Sequence, residues 1–241
     1  MPLSNTASRR SELPWPSEDR SNGAFHLRLV ENARERRDVF KLRYRAYAEY
    51  GIDDTAQDGQ FLDAFDSLPT TALFGAYSGA TLVGAMRLCF SLAGKSLASL
   101  PCSAYYPALG AVKTARPGSL MEVSRLAIDP GISNRSFRTT LFGSLVRSSL
   151  IAAQAAGVAT ILVATRPEWV RFYKYMLGFE MIGEPVLYPP GDTKISLLGG
   201  SLAMAESRQR RANAFFRISP AEIAQMRLSL APMLVQAVVP A

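Results

Sequence analysis

The chain has 241 residues, enough for one domain plus an appendage, and 48% of them are apolar, which excludes a disordered chain. Its formal charge of +7 suits an acidic partner (nucleic acid, anionic lipid, phosphate groups or an acidic protein) or simply a soluble basic surface. Two cysteines and a single histidine, His26, exclude a disulfide framework, a histidine-based triad and a histidine-based metal site, so no metal is expected.

Residues 1–23 are polar and rich in Pro and Ser, and predict a disordered leader without a signal peptide. No run approaches bilayer-spanning length, and the expected location is the cytoplasm. Residues 25–30 alternate as a first strand, with His26 on its solvent side. Residues 32–51 have helical spacing, with Val39, Leu42 and Tyr47 among the apolar positions and Gly51 as a stop. An acidic, turn-rich stretch follows over 52–68. Two β-rich runs around Ser78-Gly79 predict a hairpin, with Cys89 as a buried free thiol.

A looser stretch, 92–119, leads to a strand over 120–128 that ends at Asp129-Pro130-Gly131. This strand carries Glu122, Ser124 and Arg125 inside an apolar run. The next helix spans 136–156, with Leu141, Leu145, Ala152 and Ala156 on one face and Gly157 as its stop. "VATILVAT" (158–165) reads as a strand buried on both faces. A short helix follows over 167–178, with Pro167 in its first turn and Gly178 at its end. Residues 179–188 and 194–200 close the domain, 24–200, as two strands.

The remainder, 201–241, predicts a helical C-terminal extension. Arg208, Arg210, Arg211 and Arg217 open it, and Ser219-Pro220-Ala221-Glu222 forms a capping box. Ile223, Met226, Leu230, Met233, Leu234 and Ala237 make one apolar stripe. The stripe suits packing on the domain or on a second subunit, and leaves weak contact with a membrane surface open.

This order of elements resembles the GNAT superfamily of N-acyltransferases. That resemblance implies an α/β (α+β) fold with a mixed, mostly antiparallel central sheet flanked by helices. "RFYKYMLGF" is similar to the helix-to-strand turn after the fifth strand of that fold. "FKLRYRAYAEYG", "FLDAFDSLPTTALFGAYSGATLVGAMRL" and "EVSRLAIDP" resemble segments of FeeM-type long-chain N-acyl amino acid synthases, relatives of the LuxI-type acyl-homoserine lactone synthases. The resemblance covers about residues 25–200. It singles out Arg43, Tyr47, Asp63, Asp66, Arg87, Glu122, Ser124 and Arg125. It implies transfer of a fatty acyl group from acyl carrier protein to the α-amine of a small-molecule amino acid, with no permanently bound cofactor.

Amide formation needs an uncharged amine, so a base must take its proton. Without a usable histidine, a carboxylate in an apolar strand is the natural candidate, because burial raises its pKa toward neutrality. Glu122 fits this role, and fits equally a structural ion pair with Arg125, Arg87 or Arg43. Arg125 either clamps the acceptor carboxylate or braces the acidic loop, with bracing favoured. Asp63 and Asp66 either hold the acceptor ammonium or pair with Arg43 and Arg87, with pairing favoured. The resembled fold places oxyanion-binding backbone N–H groups where its fourth and fifth strands part, here Leu126, Ala127 and Ile128. Tyr173 or Tyr175 is available to the leaving thiolate, or belongs to the core.

Coenzyme A-dependent members of the superfamily wrap a diphosphate in a glycine-containing loop at the start of a helix. Here that loop reads Arg-Ser-Phe-Arg-Thr-Thr from Arg135, with Arg138 where the first glycine belongs. A side chain there obstructs a diphosphate, while Arg135 and Arg138 suit the single phosphate of an acyl-phosphopantetheine arm. Acyl-CoA remains a possible donor. The alternatives are an acyl-homoserine lactone synthase-like enzyme, a coenzyme A-dependent acyltransferase, or a non-catalytic acyl-carrier-binding sensor. A nucleic-acid partner is not expected, because no recognition motif accompanies the arginines.

Overall fold

The computed structural model describes residues 25–48, 58–187, 193–212 and 214–238. The leader 1–23, Gly51 and the side chains of Arg210, Arg211 and Ala237 lie outside the described residues.

The first strand, β1 (His26–Leu29), is followed by α1 (Ala33–Ala48), whose buried residues Val39, Phe40, Leu42 and Arg43 recur at helical spacing. The hairpin forms around Gly79, φ 58°, between β2 (Thr71–Ser78) and β3 (Thr81–Ser91). The looser stretch after it holds a helix that alternation did not signal, α2 (Leu109–Ala115). Of its residues only Leu109 is fully buried, so it lacks the apolar stripe that marks longer helices.

Next come β4 (Ser119–Ile128), α3 (Arg135–Ala155), β5 (Val158–Thr165) and α4 (Val170–Leu177). Gly178, at φ 70°, ends α4 in the left-handed region that suits glycine. The strand expected over 179–188 is instead two short ones, β6 (Glu180–Met181) and β7 (Val186–Leu187). Both pair with β8 (Lys194–Ser201). Two helices follow β8: α5 (Leu202–Ala212), then α6 (Pro220–Val238).

The sheet runs β1-β2-β3-β4-β5-β8-β6, and β7 adds to β8. All its pairings are antiparallel except β4 with β5. One face packs on α1, joining Val39 and Leu42 to Leu73, Ala85 and Ala127. Lower on that face, Cys89, Cys102, Leu109, Leu162 and Leu197 form a second cluster. The opposite face carries the largest core, with Leu141, Leu145, Leu150 and Ile151 of α3 against β3, β4 and β5.

α6 lies over α3, sinking Met226 and Leu230 completely and partly burying Ile223, Met233 and Leu234. The stripe expected for this helix therefore packs on the domain. Its start is fixed by the predicted capping box, with the Ser219 N–H and hydroxyl donating to Glu222. Arg147 of α3, 4% exposed, clamps the same carboxylate through two bonds of 2.7 and 3.0 Å. It also donates to the carbonyls of Phe215 and Arg217. A buried guanidinium needs such a full set of acceptors.

Candidate active site

Pairing between β4 and β5 stops at Val123–Val163, although β4 runs on to Ile128 and β5 to Thr165. The cause lies on the other side of β4. Arg87 pairs with Ser124 and Ala85 with Ala127, so β4 holds one residue more than β3 across this interval. The extra residue is a bulge at Arg125, whose φ is 54°. A non-glycine residue in this region is strained and persists only where its surroundings hold it.

Those surroundings are a chain of charges. Arg125 Nη2 donates to Asp63 Oδ2 at 2.9 Å, and its guanidinium lies 4.5 Å from the centre of the Phe61 ring. Arg87 donates to Asp63 Oδ1 at 2.5 Å and lies 3.3 Å from Asp66 Oδ1, which also accepts from Arg43 at 2.8 Å. Asp63 caps a short helical turn, Ala64–Ser67, in a reciprocal box with Asp66. Burial works against the Asp63 carboxylate, but Arg87 and Arg125 hold its pKa down to about 2. Both aspartates, Arg43, Arg87 and Arg125 are thus brought together as a brace between α1, the acidic turn and the bulge. Tyr47, from α1, donates its hydroxyl to the Leu126 carbonyl at 3.1 Å, just past the bulge.

The parted strands open a cavity of about 640 Å³. Residues 123–128 form one wall and Val163, Ala164, Thr165 and Arg166 the other. Tyr47 closes it toward α1, and Arg135, Arg138 and Thr139 stand at the start of α3. Asn134 caps that helix by accepting from the Phe137 N–H. Arg135 is exposed, whereas Arg138 folds back to donate to the carbonyls of Asp129 and Ile132. The loop is therefore closed around a side chain.

Phe142, Trp169, Phe172 and Tyr173 make an aromatic end to the cavity. Phe142 stacks on Trp169 at 5.5 Å and meets Phe172 edge-on at 5.2 Å. Sequence reasoning passed over Phe142, Trp169 and Phe172. The spacing 135, 138, 142 placed Phe142 on the face of α3 that carries both arginines, and this was the usable signal. Of the two tyrosines considered for the leaving group, Tyr173 lines the cavity. Tyr175 is 77% exposed and lies outside it.

Glu122 is not brought to the cavity wall. It is completely buried on the α2 side of β4, where one carboxylate oxygen accepts the Cys102 N–H at 2.8 Å and the other has no hydrogen-bond partner. Among the described residues it forms no ion pair with Arg43, Arg87 or Arg125. Burial raises its pKa, against the opposing pull of Cys102 and the more distant arginines. Ser124, two positions along the same strand face, does line the cavity and accepts from Arg87 Nε at 3.3 Å.

Solved structures share this fold. The FeeM N-acyl amino acid synthase from uncultured soil microbes superposes with a TM-score of 0.63 at 18% identity, over 80% of this chain and 100% of that one. The acyl-homoserine lactone synthase LasI gives 0.55 at 19% identity, over 75% and 91% of the two chains. BjaI, a coenzyme A-dependent acyl-homoserine lactone synthase seen with SAM and isopentyl-CoA, gives 0.53 at 18% identity, over 80% and 90%. No curated protein matches by sequence. A family model does: that of the N-acyl amino acid synthase FeeM, over residues 38–201. With that match spanning the bulge, the brace and the parted strands, the chain belongs to the FeeM family of N-acyl amino acid synthases and is an N-acyltransferase.

Proposed function

We propose that this enzyme transfers a fatty acyl group from the phosphopantetheine arm of acyl carrier protein to the α-amine of an amino acid, in the cytoplasm. The observation that carries the reading is the cavity itself, with cations at one end, an aromatic end beyond them and an unpaired strand edge between. The arginines suit the phosphate of the arm, and the aromatic and aliphatic walls suit its acyl chain. The self-filled loop at Arg138 supports a carrier-borne donor over coenzyme A, because the guanidinium occupies the position that a diphosphate cradle leaves to glycine.

In the reaction the amine nitrogen attacks the thioester carbon, the C–N bond forms and the C–S bond breaks. Backbone N–H groups of the β4 edge over 126–128 stabilise the oxyanion. Among the described residues, the cavity-lining side chains include no carboxylate and no imidazole, so the amine has no direct base among these. Glu122 takes the proton indirectly, through the Ser124 hydroxyl and bridging water, its proton affinity suited to that task by burial. Burial likewise keeps the Tyr173 hydroxyl protonated, as a hydrogen-bond donor to the departing sulfur, and the thiolate takes its proton from solvent.

The test is turnover of acyl carrier protein and coenzyme A thioesters of equal acyl length against mixed amino acids, with products read by mass spectrometry. N-acyl amino acids made faster from the carrier are the expected result. Faster use of coenzyme A overturns the donor assignment, and the absence of acylated amino acids overturns the acceptor.

A further inference from the structure

An amino acid brings two charges into the cavity. Its amine must be neutral to react, but its carboxylate stays ionised and needs a cation. Among the described residues four arginines line the cavity: Arg125, Arg135, Arg138 and Arg166. Arg125 is committed to Asp63 and holds the bulge in its strained conformation. Arg135 and Arg138 belong to the α3 start, on the side taken by the donor phosphate. Arg166 stands on the opposite wall, directly after β5, in extended backbone and leading into the turn Pro167–Trp169.

We infer that Arg166 is the anchor for the acceptor's α-carboxylate, an assignment that rests on the amino-acid acceptor proposed above. Its Nη1 is 2.9 Å from Glu168 Oε1, and the two side chains are 28% and 56% exposed. Ion pairs this open to water are weak. Arg166 itself lines the cavity while Glu168 does not, so this guanidinium already takes a carboxylate partner from just outside the wall, in a pair weak enough to be exchanged for a carboxylate carried by the substrate. Anchoring from the β5 wall also separates the two substrates. The donor enters along the α3 start and the acceptor from across the gap, so the amine and the thioester meet between the parted strands. Both a free amino acid and an S-linked amino acid such as SAM present the same α-amine and α-carboxylate, and Arg166 serves either.

The experiment compares the best amino-acid acceptor with its α-carboxamide in the wild type, Arg166→Ala and Arg166→Lys. For Arg166→Ala we expect kcat/KM for the acid to fall by at least about tenfold, with the amide nearly unaffected, so that the preference for the acid is lost. Arg166→Lys keeps part of that preference, since an ammonium retains the charge without the fork. The KM for the acyl carrier stays within about twofold. Glu168→Gln, which leaves Arg166 in place and removes one competing carboxylate, lowers the acceptor KM by about twofold and supplies an independent reading should Arg166→Ala fail to fold.

An acid-to-amide ratio in Arg166→Ala equal to that of the wild type overturns the assignment. So does a raised carrier KM at unchanged ratio, or a Glu168→Gln enzyme with a weakened acceptor. If the wild type itself acylates acids and amides alike, or no amino acid at all, the acceptor reading fails and the role of Arg166 fails with it. That failure is visible in the wild type, whereas failure of Arg166 alone appears only in the variants.

Discussion

The Arg125 guanidinium meets the Asp63 carboxylate at 2.9 Å while its own backbone is held at φ 54°. The side chain that the bulge displaces is thus the one that ties it down. The same aspartate accepts from Arg87, so the acidic turn grips β3 and β4 together.

Asp63→Asn should therefore weaken both the fold and the site. With the carboxylate pKa lowered to about 2 in the fold, Asp63 contributes stability that is present above its unfolded value and lost as pH falls through about 2. The contribution at neutral pH is about 2 kcal/mol. Thermal unfolding of wild type and variant should differ most above pH 4 and converge toward pH 2. Equal melting temperatures at pH 7 would remove the brace from the account.

Glu122 carries the opposite sign. Its pKa is raised by burial, so its contribution is fully present below the unfolded value and is lost as pH rises through the folded one. Glu122→Gln keeps the shape and an acceptor for the Cys102 N–H, and removes the cost of a buried charge. Its melting temperature should rise relative to the wild type between pH 5 and pH 8, by roughly 2–4 °C for each kcal/mol relieved. Turnover should fall and lose its dependence on this ionisation. Unchanged turnover with an unchanged pH–rate profile would take Glu122 out of the proton path.

The double variant Arg135→Ala/Arg138→Ala should raise the KM for acyl carrier protein by at least about tenfold, because charge-assisted bonds to phosphate are worth roughly 1.5–3 kcal/mol each before screening. Acceptor KM should barely move. High salt should reproduce part of the defect in the wild type and little in the variant. Arg135→Ala alone is the cleaner donor probe, since Arg138 also closes the loop onto Asp129 and Ile132. An acceptor-side defect instead would reassign this end of the cavity.

Arg147→Ala strands Glu222 and leaves the carbonyls of Phe215 and Arg217 without their donor. Breaking a buried pair of this kind costs about 3–5 kcal/mol. Limited proteolysis should then cut first near the junction before α6. The Arg147→Ala/Glu222→Ala double variant should lose less than the sum of the single changes. Proteolysis beginning elsewhere would mean that α6 is held by its apolar face alone.

Much of this fold was legible because its signals are local. Two β-rich runs around Ser78-Gly79 marked the hairpin, a mostly apolar octet marked β5, and Ser219 with Glu222 marked the start of α6. The acidic segment was legible as a partner for Arg43 and Arg87 because buried charges demand counter-charges. The cavity was not legible, because it is made by hydrogen bonds that stop forming past Val123 and Val163. Alternation put Glu122 and Ser124 on one face, but it could not tell that the face closes over the first and opens beside the second. Phe142, Trp169 and Phe172 read as ordinary helix-face aromatics for the same reason, since an aromatic side chain carries no mark of facing a void.

The bulge gives the site a distinctive vulnerability. Its architecture resides in a count, three steps of β4 against two of β3, and not in the chemistry of any one side chain. Substitution at Arg125 can alter how firmly that count is held. Deletion of a residue there erases it: the strand falls back into register with Ala127 still opposite Ala85, and β4 becomes free to zip against β5 over its whole length. Such a chain retains nearly all of its apolar burial and folds around a sealed sheet. Shortening by one residue is the change this site cannot absorb, and alleles altered in length at this point should be inactive while remaining abundant.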